Sequence, residues 1–208
     1  VEPVEVRRVP LASGQRADIR LTLPGGQGAY PILALREAAP ERTGVILATP
    51  GGAIRRIAEA AGTASPLLDL SLESELRPVR LLTQRKPDLI LSADLTGDMT
   101  EYNWGMNGLP FGKHRPLTVI GGQRVEIIMR NYTGMSHPMH LHGHRFQITE
   151  IGERAMTGAV RDTVLVPPWE TVRFAFNAEN WGPWLFHCHN LYHMAAGMMT
   201  TVEYEGIH

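Results

Sequence analysis

Residues 185–199 read LFHCHNLYHMAAGMM and contain Cys188, the only cysteine of the 208-residue chain, between His187 and His189. Successive side chains of a strand point to opposite faces. His187 and His189 therefore share one face, and Cys188 takes the other. The residues that follow add His193 and Met198, so the thiol side gains an imidazole and a thioether in a Cys-x4-His-x4-Met pattern.

A second window, HPMHLHGH at 137–144, repeats this logic. His140 and His142 are two apart and share a face, while His137 lies an odd number of residues from them, beyond Pro138. Pairing the windows predicts one site of His137, Cys188, His193 and Met198, and a second of His140, His142, His187 and His189. Seven of the nine histidines fall in these two windows, too tight a grouping for ordinary core or surface residues. Two imidazoles and a thiolate with a weak axial methionine form the blue-copper electron-transfer arrangement. Zinc instead favours paired cysteines, or three protein ligands plus water. The all-imidazole set is less selective, suiting copper, zinc, iron or nickel.

Working outward, PDLILSADL, RVEIIMRN, HRFQITEIG, RDTVLVP, TVRFAFNA and MMTTVEYE are short apolar or alternating runs separated by turn residues. Together they predict an all-β domain over 87–208, an antiparallel sandwich or barrel. Before it, QRADIRLTLP (15–24) alternates Ala17, Ile19, Leu21 and Leu23, and YPILALRE and TGVILATPGG add two apolar runs. So few strands make residues 1–50 read as part of a domain. Residues 51–86 read as a linker, with IRRIAEAAG a short helix. TPGGAIRRIAEAAG lacks the Lys-Ser/Thr of a P-loop and any GxGxxG, so it is read as a turn.

A net charge of −1 and the lack of a basic cluster give no footprint for nucleic acid or a membrane surface. No apolar run approaches the length of a membrane span, and VEPVEVRRVP has no signal-peptide core. With one cysteine no intrachain disulfide forms, leaving Cys188 buried, reactive or metal-bound.

HPMHLHGH followed by HCHNLYHMAAGMM resembles the two C-terminal copper motifs of the multicopper oxidases, and EYNWGMNGLPF, RDTVLVPP and NWGPWLFHCH extend the resemblance over 87–208. The fold it implies is a cupredoxin-like Greek-key β-sandwich, with residues 1–50 the C-terminal part of a middle cupredoxin domain. It also implies a type 1 copper at His137, Cys188, His193 and Met198. Electrons from a reducing substrate (a phenol, an aromatic amine or cuprous ion) would cross His187 and His189 to a trinuclear cluster that reduces dioxygen to water. His140 matches the type 2 copper ligand, and His142, His187 and His189 match type 3 ligands. His144 matches a histidine that supports the site without binding metal. Such a cluster takes eight histidines, and no His-x-His motif precedes residue 137. The resemblance therefore implies an enzyme of four coppers whose N-terminal part supplies four further histidines, in a periplasmic or secreted setting; this chain is either one piece of a nicked or split enzyme, the reading favoured, or a recombinant or degraded fragment. Where several family members carry an acid, Met194 and Asn190 stand here, which implies that protons for oxygen come from another group.

Two alternatives stay in view: a single-copper cupredoxin carrier and a copper nitrite reductase. A carrier needs no histidines on the far face, and a nitrite reductase places histidine on one side of the cysteine only. Asp162 is expected to hold its loop by hydrogen bonds. Trp169 and Trp184 are expected in core or rim, Met135, Met139, Met156, Met194 and Met199 in packing, and His114 and His208 at the surface.

Overall fold

The structure is a computed structural model and describes residues 1–206; His208 lies outside the described residues. The chain divides into two compact units, residues 16–68 and residues 1–15 together with the chain from 69 onward. The smaller unit holds one antiparallel hairpin, β1 (Ala29–Leu35) and β2 (Arg42–Ala48), in register from Ala29 opposite Ala48 to Leu35 opposite Arg42. Beside it an extended segment bridges Ala60 to Glu41.

Two expectations for the first third of the chain fail. Residues 15–24 carry no strand, and Ile19, Leu21 and Leu23 are exposed. Alternation alone does not make a strand, because the backbone needs a laddered neighbour to satisfy its polar groups. The helix expected at IRRIAEAAG is absent as well, since Glu59 O accepts from Arg42 N and draws that segment alongside β2. A five-residue helix, α1 (Ser71–Glu75), occurs further on. Glu73 of this helix is buried, and Arg161 grips it with two bonds of 3.0 Å.

The larger unit is a two-sheet β-sandwich with the cupredoxin-like fold. Its strands are β3 (Leu89–Thr96), β4 (Gly105–Met106), β5 (Leu117–Val119), β6 (Arg124–Asn131), β7 (His137–Leu141), β8 (Phe146–Ile151), β9 (Arg154–Ala155), β10 (Val160–Arg161), β11 (Thr163–Val166), β12 (Thr171–Asn177), β13 (Trp184–Cys188) and β14 (Met199–Tyr204), with helix α2 (Leu191–Ala195) between the last two. One sheet runs β10-β8-β12-β6-β3-β4 and the other β11-β7-β13-β14-β5. Most pairings are antiparallel, but β3 lies parallel to β6 and β5 parallel to β14. The expectation of an antiparallel sandwich is corrected at those two places, where strands distant in sequence pair side by side.

Between the sheets lies an apolar core. Alternation along β12 buries Val172, Phe174 and Phe176, while β6 is buried on both sides of its centre. Phe174 stacks on Phe146 of its own sheet at 4.0 Å and meets Phe186 of the opposite sheet edge-on at 5.8 Å. Aromatic rings of this size supply a large part of the burial that offsets the entropy of ordering the strands.

Candidate metal centre

The pairing of β7 with β13 decides where the histidines point. His187 stands opposite His140, Cys188 opposite Met139, and Phe186 opposite Leu141. Residues directly opposite each other share a face. His140 and His187 therefore face away from the core, whereas Cys188 faces inward with Met139. His137, two residues before Met139, joins the inward set.

On the inward side His137 and Cys188 are fully buried and His193 is nearly so. Cys188 Sγ lies 3.7 Å from His137 Nδ1 and 3.9 Å from His193 Nδ1, and the two nitrogens are 3.1 Å apart. Donors held at about 2.0–2.3 Å from one first-row ion have this mutual spacing. His193 reaches the site on α2, which starts with Asn190 as N-cap, its side chain accepting from Tyr192 N. Met198 is fully buried beside them: Cys188 N donates to Met198 O at 3.0 Å, and Met198 N donates to His193 O at 2.9 Å.

The supporting hydrogen bonds fit a metal. His137 Nε2 lies 2.7 Å from Thr133 Oγ1, whose hydroxyl donates to Met135 O at 3.2 Å. Thr133 then accepts from the ring, which leaves the Nδ1 lone pair directed at Cys188 and His193. A hydrogen bond to the ring nitrogen that points away from the metal fixes the tautomer of a ligating histidine. Asn131 shapes the loop: its Oδ1 accepts from Thr133 N at 2.9 Å and its Nδ2 donates to Met135 O at 2.7 Å. Burial, and then the neighbouring His193, lower the His137 pKa to about 3, while burial pushes the Cys188 thiol up to about 12. Without an ion the thiol keeps its proton, and a metal must displace it.

On the outward side His140, His142 and His187 offer ring nitrogens within 4.8 Å of one another. His140 Nδ1 donates to Asp162 O at 2.8 Å, and His187 Nδ1 donates to Cys188 O at 3.0 Å. Both rings thereby turn an Nε2 lone pair outward, and the Nε2 atoms of His142 and His187 are 3.0 Å apart. The His189 ring centre is 5.8 Å from those of His140 and His187. Gly14, at φ +83°, packs so closely on His189 that a Cβ there would lie 2.5 Å from the ring, and Gln15 Nε2 donates to Thr163 O. Desolvation lowers the pKa of His140, His142 and His187.

His144 has no nitrogen to spare: Nδ1 donates to His142 O at 3.1 Å and Nε2 pairs with Tyr204 OH at 2.7 Å. Asp162 holds its loop through its carbonyl on His140 and its carboxylate on Thr163 Oγ1. Trp184 is half-buried and Trp169 exposed, whereas His114, expected at the surface, is half-buried and stacked on Phe111 at 4.6 Å.

Three neighbours of the site went unread in the sequence. Thr133 and Asn131 act through a loop conformation that no spacing encodes. Trp104, fully buried, stacks on His193 at 4.0 Å; its only sequence signal is its place in EYNWGMNGLPF.

Comparison with known proteins agrees with this geometry. A family model described as multicopper oxidase matches residues 84–206. The chain is 34% identical to multicopper oxidase MmcO of Mycobacterium tuberculosis, over 98% of this chain and 40% of that protein. It is 35% identical to the copper resistance protein A homolog of Pseudomonas syringae pv. tomato, over 58% of this chain and 20% of that protein. The chain thus spans well under two thirds of these relatives. Among solved structures, the McoA multicopper oxidase of Aquifex aeolicus matches with a TM-score of 0.52 and 28% identity, over 60% of this chain and 31% of that one. Copper is the cofactor these matches imply, and the inward Cys-His-His site fits a type 1 copper. Two donor clusters set back to back across one cysteine, on this fold and with this sequence match, place the chain in the multicopper oxidase family.

Proposed function

We propose that this chain is the C-terminal part of an oxidase that takes single electrons from a small reductant and passes them to dioxygen. The observation that carries the reading is the offset of one residue: Cys188 belongs to the inward cluster and His187 to the outward one. Copper held by His137, Cys188, His193 and Met198 would supply one-electron redox chemistry, and copper held partly by His140, His142, His187 and His189 would supply the oxygen chemistry.

The residues' own work follows from their contacts. Cys188 carries the connection in its main chain, and its carbonyl also accepts from the His187 ring, giving a second, hydrogen-bonded link. Burial of His137, Cys188 and His193 excludes water from the inward site. Hydrogen bonds from the ring nitrogens to Thr133, Asp162 and Cys188 orient His137, His140 and His187. His144 steadies the loop that carries His142.

In this reading residues 87–208 form the C-terminal cupredoxin domain, 1–50 the end of a middle one, and 51–86 the linker between them. An N-terminal part supplies four more histidines, and four coppers bind per complete enzyme. The reductant is a phenol, an aromatic amine or cuprous ion. The relatives named for copper resistance favour a periplasmic or exported setting, and no helix among the described residues is long and apolar enough to cross a membrane. His189, close to both His140 and His187, speaks against a simple carrier or a nitrite reductase.

The test is copper stoichiometry and absorption of the complete, copper-loaded enzyme. Four coppers with an intense thiolate-to-copper band, lost in Cys188→Ser, support the oxidase. One copper with the same band would leave only a carrier, and a band that survives Cys188→Ser would remove the type 1 assignment.

A further inference from the structure

His193 is only 2% exposed and His137 is 0% exposed, so a reductant in solution touches neither ring. Trp104 packs against both rings. Its indole stacks on His193 with centres 4.0 Å apart and planes 26° from parallel, and it meets His137 edge-on at 5.4 Å. Trp104 also meets Tyr102 edge-on, with ring centres 6.1 Å apart and planes at 85°. Tyr102 is 41% exposed. Three aromatic rings in contact thus run from the surface to a residue of the inward site.

Two features show that the arrangement is held at a cost. Trp104 Nε1 is buried without a hydrogen-bond partner among the described residues, a condition native proteins generally avoid and one that a phenylalanine would remove. Tyr102 adopts φ +52°, a left-handed conformation uncommon for a bulky residue. Its loop is tied down by Asp98, whose carboxylate accepts from Thr100 N at 2.7 Å and Glu101 N at 2.8 Å. Gly97 lets Trp104 approach, since a Cβ there would lie 2.7 Å from the indole.

We propose that Tyr102 and Trp104 form an aromatic electron path from an outer-sphere one-electron donor at the surface to His193. The path rests on the copper reading given above. Each electron delivered oxidises one donor by one electron and reduces one copper(II) to copper(I). Both rings serve as the medium, end unchanged, and no proton moves.

The test mixes the complete copper-loaded enzyme with hexacyanoferrate(II) under anaerobic conditions and follows bleaching of the thiolate-to-copper band. Tyr102→Asn removes the exposed ring and suits the left-handed backbone, and Trp104→Phe narrows the stacked ring. Both variants are expected to be reduced several-fold more slowly, with the band and the reduction potential unchanged. In the metal-free protein, the ring-current displacement of the His193 ring protons should diminish in Trp104→Phe and persist in Tyr102→Asn. Reduction of Tyr102→Asn at the parent rate would overturn the path, as would slowing fully matched by a shifted potential. A parent protein with no thiolate-to-copper band would sink the copper reading instead, which is a separate outcome.

Discussion

Replacing Thr133 by valine keeps the volume of a residue only 2% exposed and deletes one hydroxyl. That hydroxyl lies 2.7 Å from His137 Nε2, donates to Met135 O and accepts from Met135 N, the last two at 3.2 Å. A buried donor left without a partner costs about 1–3 kcal/mol. The metal-free protein has a partial escape: the His137 proton can shift to Nδ1, 3.1 Å from His193 Nδ1. The metal-bound protein has none, because Nδ1 is then the ligand and the proton must stay on Nε2. The penalty therefore falls mainly on the bound state. Losing a hydrogen bond that orients a ligating ring lowers metal affinity about 10–100-fold, or about 1.4–2.7 kcal/mol. Competition with a chromophoric copper chelator measures it, and Thr133→Ser, which keeps the hydroxyl, should stay near the parent. Affinity of Thr133→Val within twofold of the parent, or an equal loss in Thr133→Ser, would refute the argument.

Further predictions concern pH and packing. In the metal-free protein the His137 pKa falls from 6.5 to about 3, and those of His140, His142, His144, His187 and His193 are lowered too. Below pH 6.5 the unfolded chain binds protons that the folded one does not, so stability drains away as pH falls from 6.5 toward about 3. Cys188 has the opposite sign: raised from 9.0 to about 12, it makes folding lose stability as pH rises across that interval. Melting temperature against pH should plateau between these limits, and a flat profile down to pH 4 would contradict the burial of these rings. Copper affinity should rise with pH over the neutral range as the thiol proton becomes easier to displace, which titrations at several pH values would show. Arg161→Met strands the buried Glu73 carboxylate and should cost about 3–5 kcal/mol in urea denaturation, most of it recovered by adding Glu73→Met.

What the sequence discloses depends on whether a contact is set by spacing or by a loop. The two-residue period alone separates Cys188 from His187 and His189, and the structure places His140 and His187 together and His137 beside Cys188. Spacing also misleads. Residues 15–24 alternate as well as β12 does, but β12 has β6 and β8 on either side while 15–24 has no ladder partner among the described residues. The parallel pairings β3 with β6 and β5 with β14 were hidden because no short turn announces them, unlike a hairpin. Thr133 and Trp104 were hidden for a related reason. Their partners depend on how the 131–136 and 97–104 loops close, and a threonine or tryptophan in a loop has many possible uses.

Register, more than the number of histidines, determines whether the two sites exist. A one-residue slip between β7 and β13 would flip one strand against the other, either bringing Cys188 out among the imidazoles or turning His140 into the apolar core. The chain blocks that slip from several directions. On the far side of β7, Thr163 of β11 stands opposite His140 and places its hydroxyl 2.9 Å from the ring. On the far side of β13, Met199 of β14 stands opposite His187. At the last residue of β13 Cys188 N donates to Met198 O, and just past it His189 N donates to Pro138 O. Phe186 and Leu141, paired across the same ladder, are both fully buried, so a slip would also expose apolar surface. The hydrogen bonds that define the sheet and the apolar contacts that fill the sandwich thus select the same pairing that the ligands require. Fold and metal centre are specified by one set of contacts, and a substitution that loosened β7 against β13 would damage both clusters together.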